Sequence, residues 1–244
     1  MKTREAPIDF ARAIYDDKEI NAVVECLKAG WLGAGKITEK FEKRYADYIG
    51  VRYAQLVNSG SSGNLLAIRA CNLPEGTIVL SCAAGFPSTL NVIWHSHLSP
   101  VVVDIDVKTL NINLDEVQKA LKKHKIGAII FAHTLGNPVD MKLVMELAEK
   151  YGIKVIEDNC DAMGSEIYGK NTGSFGDFHT MSFYASHHIT CGGMGGMIGT
   201  NDEQSAYMVK SMKEWGKGQI TTGFEADHGV IFDSESNGAP YDHR

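Results

Sequence analysis

The amino-acid sequence predicts an α/β fold built on a mostly parallel sheet, and three features support this prediction. Short apolar runs, typical of buried strands, alternate along the chain with segments of helical periodicity. Each strand, helix and strand unit has the length of a parallel crossover, so we expect helices on both faces of the sheet. The chain also contains 25 glycines against 6 prolines, and many of the glycines lie in short clusters between the apolar runs.

The predicted elements follow in a regular order. A first helix covers residues 17–29 and ends at Gly30, and a second amphipathic segment contains Phe41, Tyr45 and Tyr48. Strands are predicted at 53–57, 77–81, 101–105, 128–132 and 153–156, and helices at 65–71, 114–121, 140–152 and 202–215. Residues 216–244 lose all periodicity. We therefore expect one large domain over residues 1–215 and an irregular tail over 216–244.

Composition limits the possible functions. The 244 residues are 44% hydrophobic, which is enough for a substantial core, and the net charge is −6. An acidic chain without a basic block disfavours nucleic acid and anionic membranes as partners. No apolar stretch approaches the roughly 20 residues that cross a bilayer, and the start of the chain lacks a signal-peptide pattern. These features predict a soluble cytoplasmic protein with no nucleic-acid or membrane partner.

The five cysteines are scattered and form no C-x-x-C pair. An odd, unclustered set argues against both a disulfide framework and a zinc site. We therefore expect a reducing compartment and no metal.

Two places along the predicted sheet have the residue types of a ligand site. The loop at 58–63, Asn-Ser-Gly-Ser-Ser-Gly, lies between a strand and a helix, where backbone N–H groups can bind an anion. An ordinary tight turn explains that loop equally well. Asp158 ends a strand at the carboxyl edge of the sheet, where open α/β folds bind ligands, and Asp161 follows three residues later. A carboxylate there either caps the next turn or pairs with a cationic ligand atom.

Two adjacent histidines, His187 and His188, precede a glycine cluster at 192–196. This arrangement indicates a group exposed in a crevice. Adjacent histidines are, however, more often surface residues than catalysts.

Taken together, these segments resemble the sugar aminotransferase-like (DegT/DnrJ/EryC/StrS) family of the aspartate-aminotransferase fold, which uses a vitamin B6 cofactor. The resemblance covers residues 7–215. It rests on NSGSSGNLLA at 58–67, GFPSTLN at 85–91, HTLGNP at 133–138, VIEDNCDAMGS at 155–165, GSFGDF at 173–178 and SFYASHHITCGGMGG at 182–196. It implies the large domain of the PLP-dependent transferase fold type I, with the small C-terminal domain absent from this chain.

The resemblance also implies roles for single residues. Ser61, Ser62 and Ser182, with Gly60 in the same phosphate turn, would hold the cofactor phosphate, and Phe86 would stack on the pyridine ring. Asp158 matches the carboxylate that pairs with the protonated ring nitrogen and keeps the ring an electron sink. Asp161 takes the place of a Gln that usually approaches the ring hydroxyl.

The position of the catalytic lysine departs from the family pattern. Aminotransferases of this family place a Lys five residues after the Ser of the S-F motif, and this chain has His187 there. An imidazole cannot form the lysine's Schiff base, but it can take and give protons at neutral pH. The change resembles the branch of 3-dehydratases that act on nucleotide-linked 4-keto-6-deoxy sugars. It implies pyridoxamine phosphate held noncovalently, with His187 as the base and as the acid for the leaving 3-hydroxyl.

Other interpretations remain open. His187 could be a degenerate replacement, which would leave a catalytically incomplete B6-binding or sugar-nucleotide-binding module or one half of a split enzyme. A third interpretation is a sugar aminotransferase, which the absence of a Lys at position 187 disfavours. Met194 replaces the usual acidic residue of the G-E-G-G turn, so the loop beside His187 is expected to be reshaped.

Within the branch, some enzymes carry a [2Fe–2S] cluster and others regenerate their amine from glutamate. Cys160 stands where the first kind has a cluster ligand, but residues 215–220, where a cysteine-rich loop would follow, contain no cysteine, so no cluster is expected. The partners implied are a nucleotide-linked 4-keto-6-deoxy sugar, glutamate as amino donor and a second copy of the chain in a homodimer.

Overall fold

A central sheet of seven strands organises the computed structural model, which describes residues 11–216. The helices are α1 (Asp17–Ala29), α2 (Lys36–Ile49), α3 (Gly60–Ala70), α4 (Pro87–His95), α5 (Leu114–Lys123), α6 (Met141–Tyr151) and α7 (Glu203–Lys213). The strands are β1 (Tyr53–Val57), β2 (Ile78–Cys82), β3 (Ser99–Val103), β4 (Ile126–Ala132), β5 (Lys154–Asp158), β6 (Glu166–Ile167), β7 (Lys170–Asn171), β8 (Phe178–Ser182) and β9 (Gly196–Thr200). The predicted tail lies outside the described residues apart from Gly216, so the division into 1–215 and 216–244 stays a prediction.

The strand order is β1-β9-β8-β5-β4-β2-β3, and β6 and β7 form a separate two-stranded hairpin. Five adjacent strands are parallel to one another: β8, β5, β4, β2 and β3. Strand β9 is antiparallel to both of its neighbours, β8 and β1. The predicted α/β class with a mostly parallel sheet is confirmed. Parallel strands end at the same edge, so the carboxyl ends of β4, β5 and β8 lie side by side.

Helices cover both faces of the sheet, as the sequence predicted. Alternate residues of β4 point to different cores: Ile129 and Phe131 pack with α5 and α6, whereas Ala128 and Ile130 pack with α3 and α4. A smaller core beside β8 and β9 contains Tyr45 of α2. No helix in the described part of the chain is long and apolar enough to cross a membrane.

The predicted helix ends are confirmed where the sequence carried cap residues. The side chain of Asn113 accepts hydrogen bonds from the first turn of α5, and that of Asp140 accepts one from Leu143 in α6. Gly30 and Gly152 end α1 and α6 with φ of 73° and 65°, in the left-handed region that glycine enters at low cost.

The structure differs from the prediction in several elements. The third strand covers 99–103 rather than 101–105, and the helix expected at 65–71 begins five residues earlier, at Gly60. The apolar residues of α1 are exposed, and so is Tyr48 of α2, although their spacing is that of a buried face. Periodicity identifies an apolar face of a helix but not what covers it.

Candidate active site at the carboxyl edge of the sheet

The candidate site lies where the carboxyl ends of β5 and β8 meet the N-termini of α3 and α4. Asp158 is the last residue of β5, and Ser182 is the last residue of β8. Because β5 and β8 pair in parallel register, Asp158 lies opposite Thr180 and two residues short of the level of Ser182. The sheet edge therefore brings together segments that are far apart in sequence.

The carboxylate of Asp158 is held by three donors, one from α3, one from α4 and one from the turn after β5. Its Oδ2 accepts from Nδ2 of Asn64 at 2.8 Å and from Oγ1 of Thr89 at 2.7 Å, and its Oδ1 accepts from the backbone N–H of Cys160 at 3.2 Å. Asn64 in turn accepts from Oγ1 of Thr180 at 2.6 Å. All four side chains are buried, so this network fixes the orientation of the carboxylate in a medium of low dielectric.

Asn64, Thr89 and Thr180 were not among the predicted site residues. Asn64 and Thr89 lie inside the motif segments 58–67 and 85–91, whereas Thr180 falls between the segments 173–178 and 182–196, two residues before Ser182. Their hydrogen-bonding type was visible, but their convergence on one carboxylate depends on the packing of α3 and α4 against β5 and β8.

The first turn of α3 forms the second part of the site. The side chain of Ser59 caps the helix and accepts from the N–H of Ser62 at 3.1 Å. The hydroxyl of Ser61 donates to Oγ of Ser88 at 2.9 Å, which links the starts of α3 and α4. A helix N-terminus carries unsatisfied N–H groups and a partial positive charge, so this turn can bind a phosphate.

Gly60 allows the chain to pass close to its neighbours in this turn. A Cβ atom on Gly60 would lie 2.7 Å from Sγ of Cys160 and 3.0 Å from Cβ of Ser182. Gly196 serves the same purpose from β9, because a Cβ there would contact the backbone of Ser59. The structure thus brings Gly60, Ser182 and the Ser61 turn into one place.

Phe86 lies directly before α4 and is 71% exposed. Its carbonyl accepts from the N–H of Thr89, the residue whose hydroxyl reaches Asp158. Phe86 therefore lies one helical turn from the buried hydrogen bonds around Asp158, and its ring is exposed.

His187 and Asp161 lie side by side on two different loops. Nδ1 of His187 is 3.3 Å from Oδ1 of Asp161, and their side chains are 20% and 49% exposed. The loop that carries His187 is tied back to β8 by a hydrogen bond from Phe183 N–H to the Gly195 carbonyl at 2.8 Å. His188 is exposed. Of the two adjacent histidines, the structure thus pairs His187 with a carboxylate.

A buried polar layer beneath the site was also missed. Glu157 and His133 are fully buried, and Oε2 of Glu157 lies 3.0 Å from Nε2 of His133. Nδ1 of His133 accepts from the N–H of Val139, so Nε2 carries the proton and donates it to Glu157. The backbone N–H groups of Gly173, Phe175 and Gly176 also donate to Glu157. The HTLGNP and GSFGDF segments therefore hold the loop before β8 against β5.

Burial by itself acts in opposite directions on the pKa values of the carboxyl group of Glu157 and the imidazole of His179. Burial works to raise the pKa of Glu157, but the His133 N–H and the Gly173 and Gly176 amides outweigh it, so the pKa lies below its ordinary value. Burial lowers the pKa of His179 on β8 to about 4. The neighbouring β5 and β8 thus present a charged Glu157 and a neutral His179 to the interior at neutral pH.

Cys160 is a half-buried residue whose sulfur lies against Gly60 in the first turn of α3. Burial and the nearby Asp158 carboxylate raise its pKa well above the ordinary value, so it stays protonated. Within residues 11–216, no group of three or more His, Cys, Asp or Glu side chains is arranged to hold a metal ion.

The sequence of this chain is similar to those of known proteins. Residues 13–231 match the sequence profile of the DegT/DnrJ/EryC1/StrS aminotransferase family. The chain is 38% identical over 238 residues to the lipopolysaccharide biosynthesis protein RfbH of Salmonella typhimurium, covering 93% of this chain and 54% of RfbH. It is 34% identical over 221 residues to GDP-4-keto-6-deoxy-D-mannose 3-dehydratase of Yersinia pseudotuberculosis, covering 87% of this chain and 56% of that protein.

The fold is also found in solved structures. The crystal structure of a GDP-4-keto-6-deoxymannose-3-dehydratase with a trapped PLP–glutamate geminal diamine superposes with a TM-score of 0.82 at 29% identity, covering 87% of this chain and 55% of that one. This likeness confirms the predicted fold type. The chain spans about half the length of the curated relatives it matches.

Proposed function

Because the chain belongs to the DegT/DnrJ/EryC1/StrS aminotransferase family, we propose that it is the cofactor-binding part of a vitamin B6-dependent enzyme of deoxysugar biosynthesis. The proposed reaction removes the 3-hydroxyl group of a nucleotide-linked 4-keto-6-deoxyhexose. The observation that carries this proposal is His187, an imidazole beside a carboxylate at the position where the transaminating members carry a lysine. The Yersinia relative, named as a 3-dehydratase of such a sugar, supports the substrate class.

The residues present fit pyridoxamine phosphate or pyridoxal phosphate held without a covalent bond. Gly60, Ser61 and Ser62 at the first turn of α3, with Ser182, form a cradle with hydroxyl donors in which a Cβ at Gly60 would collide. Asp158 is buried and fixed by its donors, as a partner of a protonated ring nitrogen must be. Phe86 offers an exposed aromatic ring one turn away, and the half-exposed Asp161 side chain lies beside His187.

When bound, the amine form of the cofactor supplies an amino group for the sugar ketone and a ring that accepts an electron pair. Asp158 keeps the ring nitrogen protonated by pairing with it, and Asn64 and Thr89 prevent the carboxylate from turning away. The serine hydroxyls and amides of α3 anchor the phosphate and so orient the reacting carbon.

His187 moves the protons. Its free nitrogen takes a proton from the cofactor's methylene carbon and then gives a proton to the departing 3-hydroxyl oxygen, which leaves as water. The imidazole ends in the protonation state in which it began. Water releases the amino group from C4 of the sugar as ammonia, and glutamate is the proposed donor that restores the amine of the cofactor. The proposed enzyme has no iron–sulfur cluster, and its proposed assembly is a homodimer.

A substitution of His187 by Lys tests the proposal. The purified full chain is loaded with pyridoxamine phosphate. It is then incubated with GDP-4-keto-6-deoxymannose, CDP-4-keto-6-deoxyglucose or dTDP-4-keto-6-deoxyglucose, and loss of the 3-hydroxyl group is followed by mass spectrometry. We expect His187→Lys to lose dehydration and to gain a borohydride-reducible adduct with pyridoxal phosphate, whereas His188→Asn keeps dehydration. Dehydration that persists in His187→Lys would remove His187 from the reaction.

The family's aminotransferase activity is the second candidate, favoured by the family description itself. It requires a lysine to bind the cofactor covalently. A borohydride-fixed lysine adduct in the unaltered chain, located by peptide mapping, would establish this second candidate in place of the first.

A further inference from the structure

The contact between Asp161 and His187 gives Asp161 a role of its own. We propose that Asp161 is a positioning residue for His187: its carboxylate holds the proton of the imidazole on Nδ1 and leaves Nε2 as the nitrogen that exchanges protons with substrate. This inference rests on the proposed function, because it concerns the base of that reaction. It differs from the role that the family resemblance implied for Asp161, which was to approach the ring hydroxyl.

The first support is geometric. Oδ1 of Asp161 lies 3.3 Å from Nδ1 of His187, whereas the adjacent His188 points to solvent. Only 20% of the His187 side chain is exposed although its chain neighbours Ser186 and His188 are both exposed. The imidazole is therefore turned inward, towards the loop that carries the carboxylate.

The second support is that the carboxylate is mounted on a rigid part of the chain. Asp161 follows β5 in a tight turn in which the N–H of Ala162 donates to the Asn159 carbonyl at 3.0 Å. Asn159 is fully buried and its own side chain donates to the Thr172 carbonyl at 3.2 Å. The His187 loop, by contrast, contains Gly192 and Gly193 with positive φ and is mostly exposed. A fixed carboxylate can therefore set the orientation of a ring on a less constrained loop.

The third support is chemical. A neutral imidazole has one N–H and one lone pair, and the hydrogen bond made by one nitrogen determines which of them the other presents. A carboxylate can only accept, so beside Nδ1 it selects the Nδ1–H form and stabilises the charged ring after Nε2 takes a proton. An amide at position 161 could accept or donate and carries no charge, so it would not make that selection.

The test compares three forms of the full chain, unaltered, Asp161→Asn and Asp161→Glu, each with ¹⁵N-labelled histidine. The two ring nitrogens of His187, assigned with His187→Asn, have chemical shifts that report where the proton lies, and no substrate is needed. We expect Nδ1–H in the unaltered chain, a mixture of both forms in Asp161→Asn, and recovery of Nδ1–H in Asp161→Glu. The control Asp47→Asn changes an exposed carboxylate that is paired with Lys43 and should leave the His187 signals unchanged.

Activity supplies a second readout. For Asp161→Asn we expect kcat to fall by at least about tenfold while KM changes by less than about threefold, because the residue acts on the base rather than on binding. If the proton distribution of His187 is the same in Asp161→Asn as in the unaltered chain, the proposal is wrong. If the proton moves as expected but the unaltered chain does not dehydrate any substrate, the pairing is supported and the proposed function fails.

Discussion

His179 is the buried residue whose protonation has the clearest effect on stability. It is fully buried on β8, it stacks on Tyr45 with the ring centres 5.7 Å apart, and burial lowers its pKa to about 4. In the unfolded chain a histidine has its ordinary pKa of about 6.5. Between these two values the unfolded chain binds more protons than the folded one, so stability falls as the pH falls from about 6.5 towards 4.

We therefore predict that the free energy of unfolding is about 2 kcal/mol lower at pH 5 than at pH 7 through this residue alone. Urea unfolding followed by circular dichroism at the two pH values measures the difference. His179→Gln cannot take up a proton and should lose most of it, whereas His95→Gln, at an exposed position on α4, should retain it. An unchanged pH dependence in His179→Gln would assign the acid sensitivity to other groups.

At the scale of elements, the first turn of α3 depends on a glycine. The Cβ of an alanine at position 60 would lie 2.7 Å from Sγ of Cys160 and 3.0 Å from Cβ of Ser182, closer than unstrained contacts allow. We predict that Gly60→Ala lowers the free energy of unfolding by about 1–3 kcal/mol, the usual cost of overpacking. Adding Cys160→Ala removes the closer contact and should restore part of the loss.

Gly33→Ala is the matched control for that experiment. Gly33 has no positive φ, and the nearest atom to its added Cβ is 3.8 Å away, in Trp31. It should change stability by less than about 0.5 kcal/mol. If Gly60→Ala is as stable as Gly33→Ala, the turn has room that the packing of Cys160 and Ser182 does not indicate.

The sequence predicted the elements better than it predicted their partners. Cap residues such as Asn113 act on their own helix, so local sequence was enough to place them. The strand β8, FHTMS, was not predicted, because His179 and Thr180 are buried polar residues that interrupt the apolar pattern of a strand. Local periodicity cannot distinguish a buried polar residue from an exposed one.

In the candidate site, too, local features could be predicted from the sequence and long-range contacts could not. Asp158 could be placed at the sheet edge because the end of a strand is a local feature. Its donors Asn64 and Thr89 lie 94 and 69 residues away in sequence, and only the packing of two helices brings them to the carboxylate. The contact of His187 with Asp161 likewise joins two loops whose separation no spacing rule fixes.

At the scale of the whole molecule, cofactor binding and folding are coupled, because the proposed site is assembled from α3, α4, β5 and β8. A ligand that binds only the folded chain stabilises it by about 2.7 kcal/mol when present at 100 times its Kd. For a protein of this size each kcal/mol corresponds to about 2–4 °C in Tm. We therefore predict that saturating pyridoxamine phosphate raises the Tm of the full chain by about 5–10 °C in calorimetry.

The same measurement separates the two ends of the site. Asp158→Asn removes the charge proposed to pair with the ring nitrogen. The rise in Tm should therefore shrink with pyridoxamine phosphate but not with inorganic phosphate, which is expected to occupy only the proposed phosphate site at the α3 turn. Glu166→Gln, an exposed carboxylate on β6, is the control and should respond as the unaltered chain does. No rise in Tm with pyridoxamine phosphate, in a chain with native circular dichroism, would mean that the buried carboxylate and the serine turn do not form a cofactor site. A rise that Asp158→Asn leaves intact would instead place the binding energy in the α3 turn and leave the Asp158 network a purely structural role.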